Sequence, residues 1–277
     1  MKSRLNVIVA AAAVFAILCL DLAVAARQAA QGGQPGVGAG AGVQAGQQGG
    51  RGGGGRGGGR GAQANLPPAG PAPRLSNGKP DLSGLWANPY TPNMAGNKGA
   101  NALDPKTNGD YAGSCLPFGM SRSINSPHGT QIIHHVDALA FLFEQNTWFH
   151  WVPTDPNFKW PVDLPPNWTG VSVGRWDGDT LVIETTGFNG YTRLDTNGHP
   201  HSSEVKMINT FTRTDSRTMT HTVTIHDPKT YTQDWMNVRT WRIKPYPDVI
   251  MEYSCEENNL GLEDGTITRW KYPENRN

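Results

Sequence analysis

From Gln131 onward, hydrophobic and polar residues fall in short runs with a period near two. Gln131–Val136, Ala138–Glu144 and Thr147–Val152 are rich in β-branched and aromatic residues. Val171–Trp176 and Thr180–Thr185 flank Asp177-Gly178-Asp179, and an Asp-Gly step between two such runs signals a hairpin. Val205–Thr212, Thr218–Ile225, Met236–Ile243 and Val249–Ser254 continue the pattern. Between them lie Thr214-Asp215-Ser216, Asp227-Pro228-Lys229 and Pro245-Tyr246-Pro247-Asp248, which are turn chemistries. In Thr218–Ile225 every second residue is threonine until the run ends, as in a sheet with one wet face and one dry face. No stretch beyond the N-terminal apolar run reads as a long amphipathic helix. The pattern predicts a mainly β domain, an antiparallel meander of eight or so strands forming a barrel-like (lipocalin-like) domain or a sandwich. A barrel has the advantage of leaving few exposed strand edges. Asn88–Ser123 and Thr154–Thr169 are rich in Pro and Gly and predict long loops, and loops of that length are often functional.

The N-terminal pattern is of another kind. Lys2 and Arg4 precede an unbroken apolar run, Val7–Leu20, which meets Asp21 and then Ala23-Val24-Ala25-Ala26. Charge, short apolar core and small-residue cleavage site form the layout of a signal peptide, residues 1–26. A spanning helix needs about 20 apolar residues, so a retained anchor fits less well. Cys19 raises a lipoprotein alternative, but bulky Leu18 occupies the place where a small residue is expected. The chain is therefore expected to be periplasmic or secreted, with no transmembrane anchor after cleavage. Residues 27–74 are Gly, Ala, Gln, Arg and Pro with almost nothing to bury, and predict a disordered linker. Residues 75–277 are left as one β-rich domain, long enough for a real core.

Charge is divided unevenly between these parts. Eight of the 24 basic residues and one of the 23 acidic ones precede Asp81, so the net +1 conceals an acidic domain. Arg51, Arg56 and Arg60 lie in Gly-rich repeats of the kind that bind RNA in cytosolic proteins. An exported chain with an acidic domain argues against a nucleic-acid partner, because duplex binding depends on cationic contacts to phosphates. Cys115 and Cys255 are the cysteines left after cleavage. In an oxidising compartment such a pair is most economically a disulfide, the rival being two buried thiols.

Several segments together are similar to a known set of sequences. They are Gly78-Lys79-Pro80-Asp81-Leu82-Ser83-Gly84-Leu85-Trp86, Cys115-Leu116-Pro117, the stretch Gly170 to Asn189, Gly198-His199-Pro200-His201-Ser202, Asp227-Pro228-Lys229-Thr230-Tyr231-Thr232, and Glu252-Tyr253-Ser254-Cys255-Glu256-Glu257-Asn258. With these the chain resembles a large family of exported bacterial proteins of unknown function, from about Gly78 to Asn259. The resemblance implies membership and no activity. Gly84-Leu85-Trp86 also resembles the Gly-x-Trp that opens lipocalin barrels.

Candidate chemistry is sparse. There is no P-loop, no dinucleotide-binding glycine motif after a strand, no nucleophile elbow and no zinc-protease helix, and nothing names a cofactor. Nine tryptophans are many for this length, and Trp148, Trp151, Trp160, Trp168 and Trp176 concentrate around Thr154–Thr169. Aromatics in Pro-rich loops form stacking platforms for small partly apolar molecules or glycans, or else plug barrel ends. His199 and His201 would share a face if extended, and with a third ligand could hold Zn²⁺ or Cu²⁺, or they could simply hydrogen-bond a loop. Glu184 is either the outward polar residue of its strand or a desolvated carboxylate inside a barrel, fit to act as a general base. His221 and His226, like His134 and His135, stand at odd spacing and face opposite ways. These residues lead to three expectations: a ligand binder with a tryptophan-lined pocket, an enzyme using His199, His201 and Glu184 as an acid/base or metal-assisted set, and a structural envelope protein positioned by its tether.

Overall fold

A computed structural model describes residues 68–96, 115–257 and 259–265. The expected signal peptide (1–26) with Cys19, and the tether as far as residue 67, lie outside the described residues. Nine strands follow in chain order: β1 Gly84–Ala87, β2 Thr130–His134, β3 Ala138–Phe143, β4 Phe149–Pro153, β5 Val171–Asp177, β6 Thr180–Thr186, β7 Lys206–Arg213, β8 Thr218–His226 and β9 Trp235–Ile243. Two short helices, α1 Gly119–Ile124 and α2 Leu260–Glu263, complete the regular structure of these residues.

All pairings are antiparallel, and the spatial order is β4-β3-β2-β1-β9-β8-β7-β6-β5. Each strand therefore neighbours the next in the chain, β9 returns to β1, and β4 and β5 come side by side to make a nearly closed barrel. The hairpin at Asp177-Gly178-Asp179 forms, with Asp177 paired to Thr180 inside the ladder. Its two-residue turn is Gly178-Asp179, and Gly178 supplies the positive φ of 57°.

The β4–β5 seam lacks the backbone ladder found elsewhere. Side chains bridge it: His150 on β4 meets Ser172 on β5, Nε2 to Oγ, at 2.6 Å. Gly174 permits the approach, since a Cβ there would lie 2.8 Å from Thr154 Cγ2 and 3.2 Å from Val152 Cγ1. β1 takes the edge of β9, with Trp86 opposite Ile243. That pairing explains why Val249–Ser254, expected as a strand, is not one. The edge it would need is occupied, and only an isolated bridge, Gln145 to Tyr253, forms there.

Alternation places one face of each strand inside. Leu139, Phe141 and Phe143 of β3, Leu181 and Ile183 of β6, and Phe211 of β7 fill the interior with Trp86 and Trp241. At one point the lining is polar, and α1, buried along its whole length, sits against it. Arg239 donates from Nη1 to Asn125 Oδ1 (2.8 Å) and from Nη2 to His221 Nδ1 (3.1 Å). A guanidinium can only donate, so His221 accepts at Nδ1 and gives its Nε2 proton to Asn209 Oδ1 at 2.9 Å. Burial, reinforced by the Arg239 charge, pushes the His221 pKa well below 6.5, and burial brings Arg239 down to about 10.

Segments far apart in the chain meet in pairs. Lys79 reaches Gly178 O at 3.1 Å, and Arg74, just upstream, makes a bidentate pair with Asp179 (2.9 and 2.6 Å). Gly70 and Ser216 are joined in both directions, so chain assigned to the tether is bonded to the barrel from Gly70 onward. Ser202 donates from its amide and its hydroxyl to Asp227 (2.6 and 2.7 Å), and the Tyr231 hydroxyl donates to Pro200 O (2.7 Å). Cys115 and Cys255 lie at disulfide distance, their Cα atoms 5.3 Å apart. Arg213 closes one end of the barrel. Its guanidinium lies 4.9 Å over the ring of Trp86 and donates to the carbonyls of Asp81, Ser83, Asp215 and Ser216.

Candidate functional site

A cleft of about 450 Å³ opens beside the seam. One wall comes from β4 and the residue before it: Trp148, Phe149, His150 and Trp151. The segment from β4 to β5, expected as a loop and free of regular structure, supplies the rest with Trp160, Leu164, Asn167, Trp168 and Thr169. Pro117, just ahead of α1, and Gly170 and Val171, where β5 begins, complete it. The volume is that of a small-molecule site.

Local chemistry holds these walls. On the outer face of β4, Trp151 packs edge-to-face with Phe158 (5.3 Å) and Trp160 (5.6 Å), which also meet each other at 5.1 Å. Trp160 donates its indole proton to Ser172 O at 2.7 Å, so the loop is anchored across the seam. Asn167 bonds the segment after β6 through Gly187 O (3.0 Å) and the Asn189 amide (2.8 Å). Its side-chain Oδ1 accepts from the amide and hydroxyl of Thr169. Trp168 leans on Tyr191 at 5.8 Å. Among the described residues, no Asp, Glu, Lys or Arg lines the cleft. A smaller recess of about 230 Å³, lined by the two cysteines and Asn146, shares Pro117 and Trp148 with it.

His150 is the titratable member of the lining, and burial pulls its pKa down to about 4. Beyond its contact with Ser172, a chain continues from Ser172 Oγ to Thr185 Oγ1 (2.7 Å) and from Thr185 to the Met120 thioether (3.8 Å). A serine bonded to a histidine resembles a nucleophile and its base. Ser172 is fully buried, however, and no substrate can reach its Oγ without the seam opening.

Four of the five expected tryptophans, Trp148, Trp151, Trp160 and Trp168, share this cleft. Trp176 does not. It lies further along β5 against His134 (5.8 Å), with the Lys79 ammonium 5.9 Å from its ring. The proposed acid/base set is placed in separate surroundings. Asp195 receives the His199 Nδ1 proton at 2.7 and 2.9 Å. His201 donates from Nδ1 to Ser202 O (2.8 Å), and its Nε2 meets Thr192 Oγ1 at 2.6 Å. Both histidines are buried in the connection between β6 and β7. Glu184 is half exposed on the outer wall, 2.8 Å from Lys206, while its neighbours Ile183 and Thr185 face inward. No group of three His, Cys, Asp or Glu side chains placed to hold a metal occurs among the described residues.

Sequence reasoning passed over His150, Pro117, Leu164 and Asn167. His150 carries a signal in hindsight: it stands between Trp148 and Trp151, on the inward parity of Val152. Comparison with models of protein families, with curated proteins and with solved structures yields no match.

Proposed function

We propose that this is an exported binding protein whose barrel holds a small, largely apolar molecule in the tryptophan cleft beside the β4–β5 seam. The observation that carries the reading is the convergence of Trp148, Trp151, Trp160 and Trp168 on one cleft with no charged residue in its lining among the described residues. Indole faces there offer a large apolar area at small conformational cost. The loop that supplies two of them is anchored at Trp160 and Asn167, so much of the site is formed in advance. The disulfide-distance cysteine pair supports export, because such bridges persist in oxidising compartments.

A catalytic reading draws less support. His199 has its imidazole proton on Asp195, and Glu184 is paired with Lys206 on the outside of the wall. The experiment is a screen of uncharged aromatic and sugar fragments by ligand-observed NMR on the full chain, repeated with Trp160→Ala, Trp168→Ala and Trp176→Phe. Hits should weaken about tenfold in either cleft variant, the cost of a lost aromatic wall, and persist in Trp176→Phe. Hits indifferent to both cleft variants would defeat the proposal.

A further inference from the structure

Resting on that reading, we infer that the ligand is an uncharged, flat molecule with a single hydrogen-bond donor, an aromatic O–H or N–H, which it gives to Nδ1 of His150.

The argument begins at Met120. A thioether sulfur accepts hydrogen bonds and cannot donate them. Thr185, 3.8 Å from Met120 Sδ, therefore spends its one hydroxyl proton there. It can only accept from Ser172, at 2.7 Å. The Ser172 proton is then committed to Thr185, so Ser172 Oγ must accept from His150 Nε2, at 2.6 Å. A buried methionine thus sets the tautomer of a histidine three links away: Nε2 carries the proton, and Nδ1 carries the lone pair. Nε2 is the ring nitrogen of His150 with a protein partner among the described residues, and His150 is one of the residues lining the cleft.

Three features of the cleft then define the ligand. Its walls are indole and phenyl faces, which suit a flat apolar body. Among the described residues its lining holds no charged side chain, so an ion entering it would lose water without gaining a counter-charge there. Of its other polar side chains among the described residues, Asn167 accepts at Oδ1 from the amide and hydroxyl of Thr169, and the buried indole N–H of Trp148 has no hydrogen-bond partner. One open acceptor, beside the unpartnered N–H of Trp148, matches a molecule whose single O–H or N–H donates once, and leaves most hydroxyls of a sugar without partners. Burial keeps the His150 ring neutral, with a pKa near 4, so the acceptor is present at ordinary pH.

The test is calorimetric titration of the full chain with 2-naphthol, 2-methoxynaphthalene, 2-naphthoate and methyl β-glucopyranoside, in the wild type and in His150→Phe. The wild type should prefer 2-naphthol over its methyl ether about tenfold, the worth of one hydrogen bond. The naphthoate and the glucoside should bind more weakly than either. In His150→Phe the two uncharged naphthalenes should bind within about twofold of each other. Equal binding of both to the wild type, or a preference that survives in His150→Phe, overturns this inference and leaves the cleft reading intact. A glucoside that binds best overturns the assigned class. Failure of every probe overturns the cleft reading as well. Should His150→Phe not fold, long-range ¹H–¹⁵N correlation in the wild type decides: a proton on Nε2 with bare Nδ1 supports the inference, and a proton on Nδ1 overturns it.

Discussion

Lowering the pH from 7 to 4.5 should destabilise this barrel steeply, and His150 sets a measurable part of the slope. In the unfolded chain its imidazole titrates near 6.5, whereas in the folded barrel burial holds it neutral down to about 4. Between those values the unfolded state carries a proton that the folded state does not, so acidification favours unfolding. The contribution is absent above pH 6.5, grows as pH falls, and levels off below about 4. It amounts to roughly 1.4 kcal/mol per pH unit at its steepest and about 3 kcal/mol in full. His221 acts in the same direction, through burial and then the charge of Arg239. His150→Gln removes one titration and leaves the other. Urea unfolding followed by far-ultraviolet circular dichroism at half-unit steps should show a variant profile shallower by about 1.4 kcal/mol per pH unit between pH 6 and 4.5. A uniform loss of stability in the variant would displace the curve without changing its slope. Parallel profiles for wild type and variant would refute the claim that His150 is buried neutral.

Three further outcomes are expected. Arg213→Lys cannot reproduce four carbonyl contacts and the stacking on Trp86, and should cost about 3 kcal/mol, or roughly 10 °C in Tm by calorimetry; a Tm within 2 °C of wild type would argue against the barrel-end role. Glu184→Gln should move stability by less than about 1 kcal/mol in thermal melts and leave cleft binding unchanged, as its pair with Lys206 is solvated. The unreduced, unfolded protein should show no alkylatable thiol at Cys115 or Cys255, and their double serine variant should lose about 5 kcal/mol of chain-entropy stabilisation in urea unfolding, since the pair is 140 residues apart.

The meander was legible because one-sided burial writes itself into alternate positions. Thr218–Ile225 shows it plainly, with Met219, His221, Val223 and Ile225 inside and the threonines outside. Elements without a period were not legible. β1 is four residues long and owes its place to neighbours on both sides, β2 and β9. α1 is six residues buried all round, with Ser121, Arg122 and Ser123 buried among them, so it has no exposed face to set a polar period. Val249–Ser254 has strand composition, but composition does not reveal that β1 already holds the edge of β9. The cleft was half legible. Tryptophans crowded around one loop, but strand parity takes Trp176 away to pack on His134. His150 owes its role to Ser172 and Thr185, partners reached only when β4 and β6 come to flank β5. The Gly198-His199-Pro200-His201 segment drew attention as a possible ligand set, because hydrogen-bonding histidines and metal-binding histidines share one spacing.

The pairing of motif segments separates two kinds of information carried by this chain. Lys79 with Gly178, Ser202 with Asp227, Tyr231 with Pro200 and Cys115 with Cys255 are fasteners between distant parts of the wall. Most residues that line the cleft, from Trp148 through Trp151 and then Trp160, Leu164, Asn167, Trp168 and Thr169, lie outside those segments, which contribute Pro117, Gly170 and Val171. Another chain with the same fasteners would inherit the container without inheriting its contents. The stretch from Trp148 to Thr169 could be exchanged between such chains as a cassette, and the binding preference would travel with it.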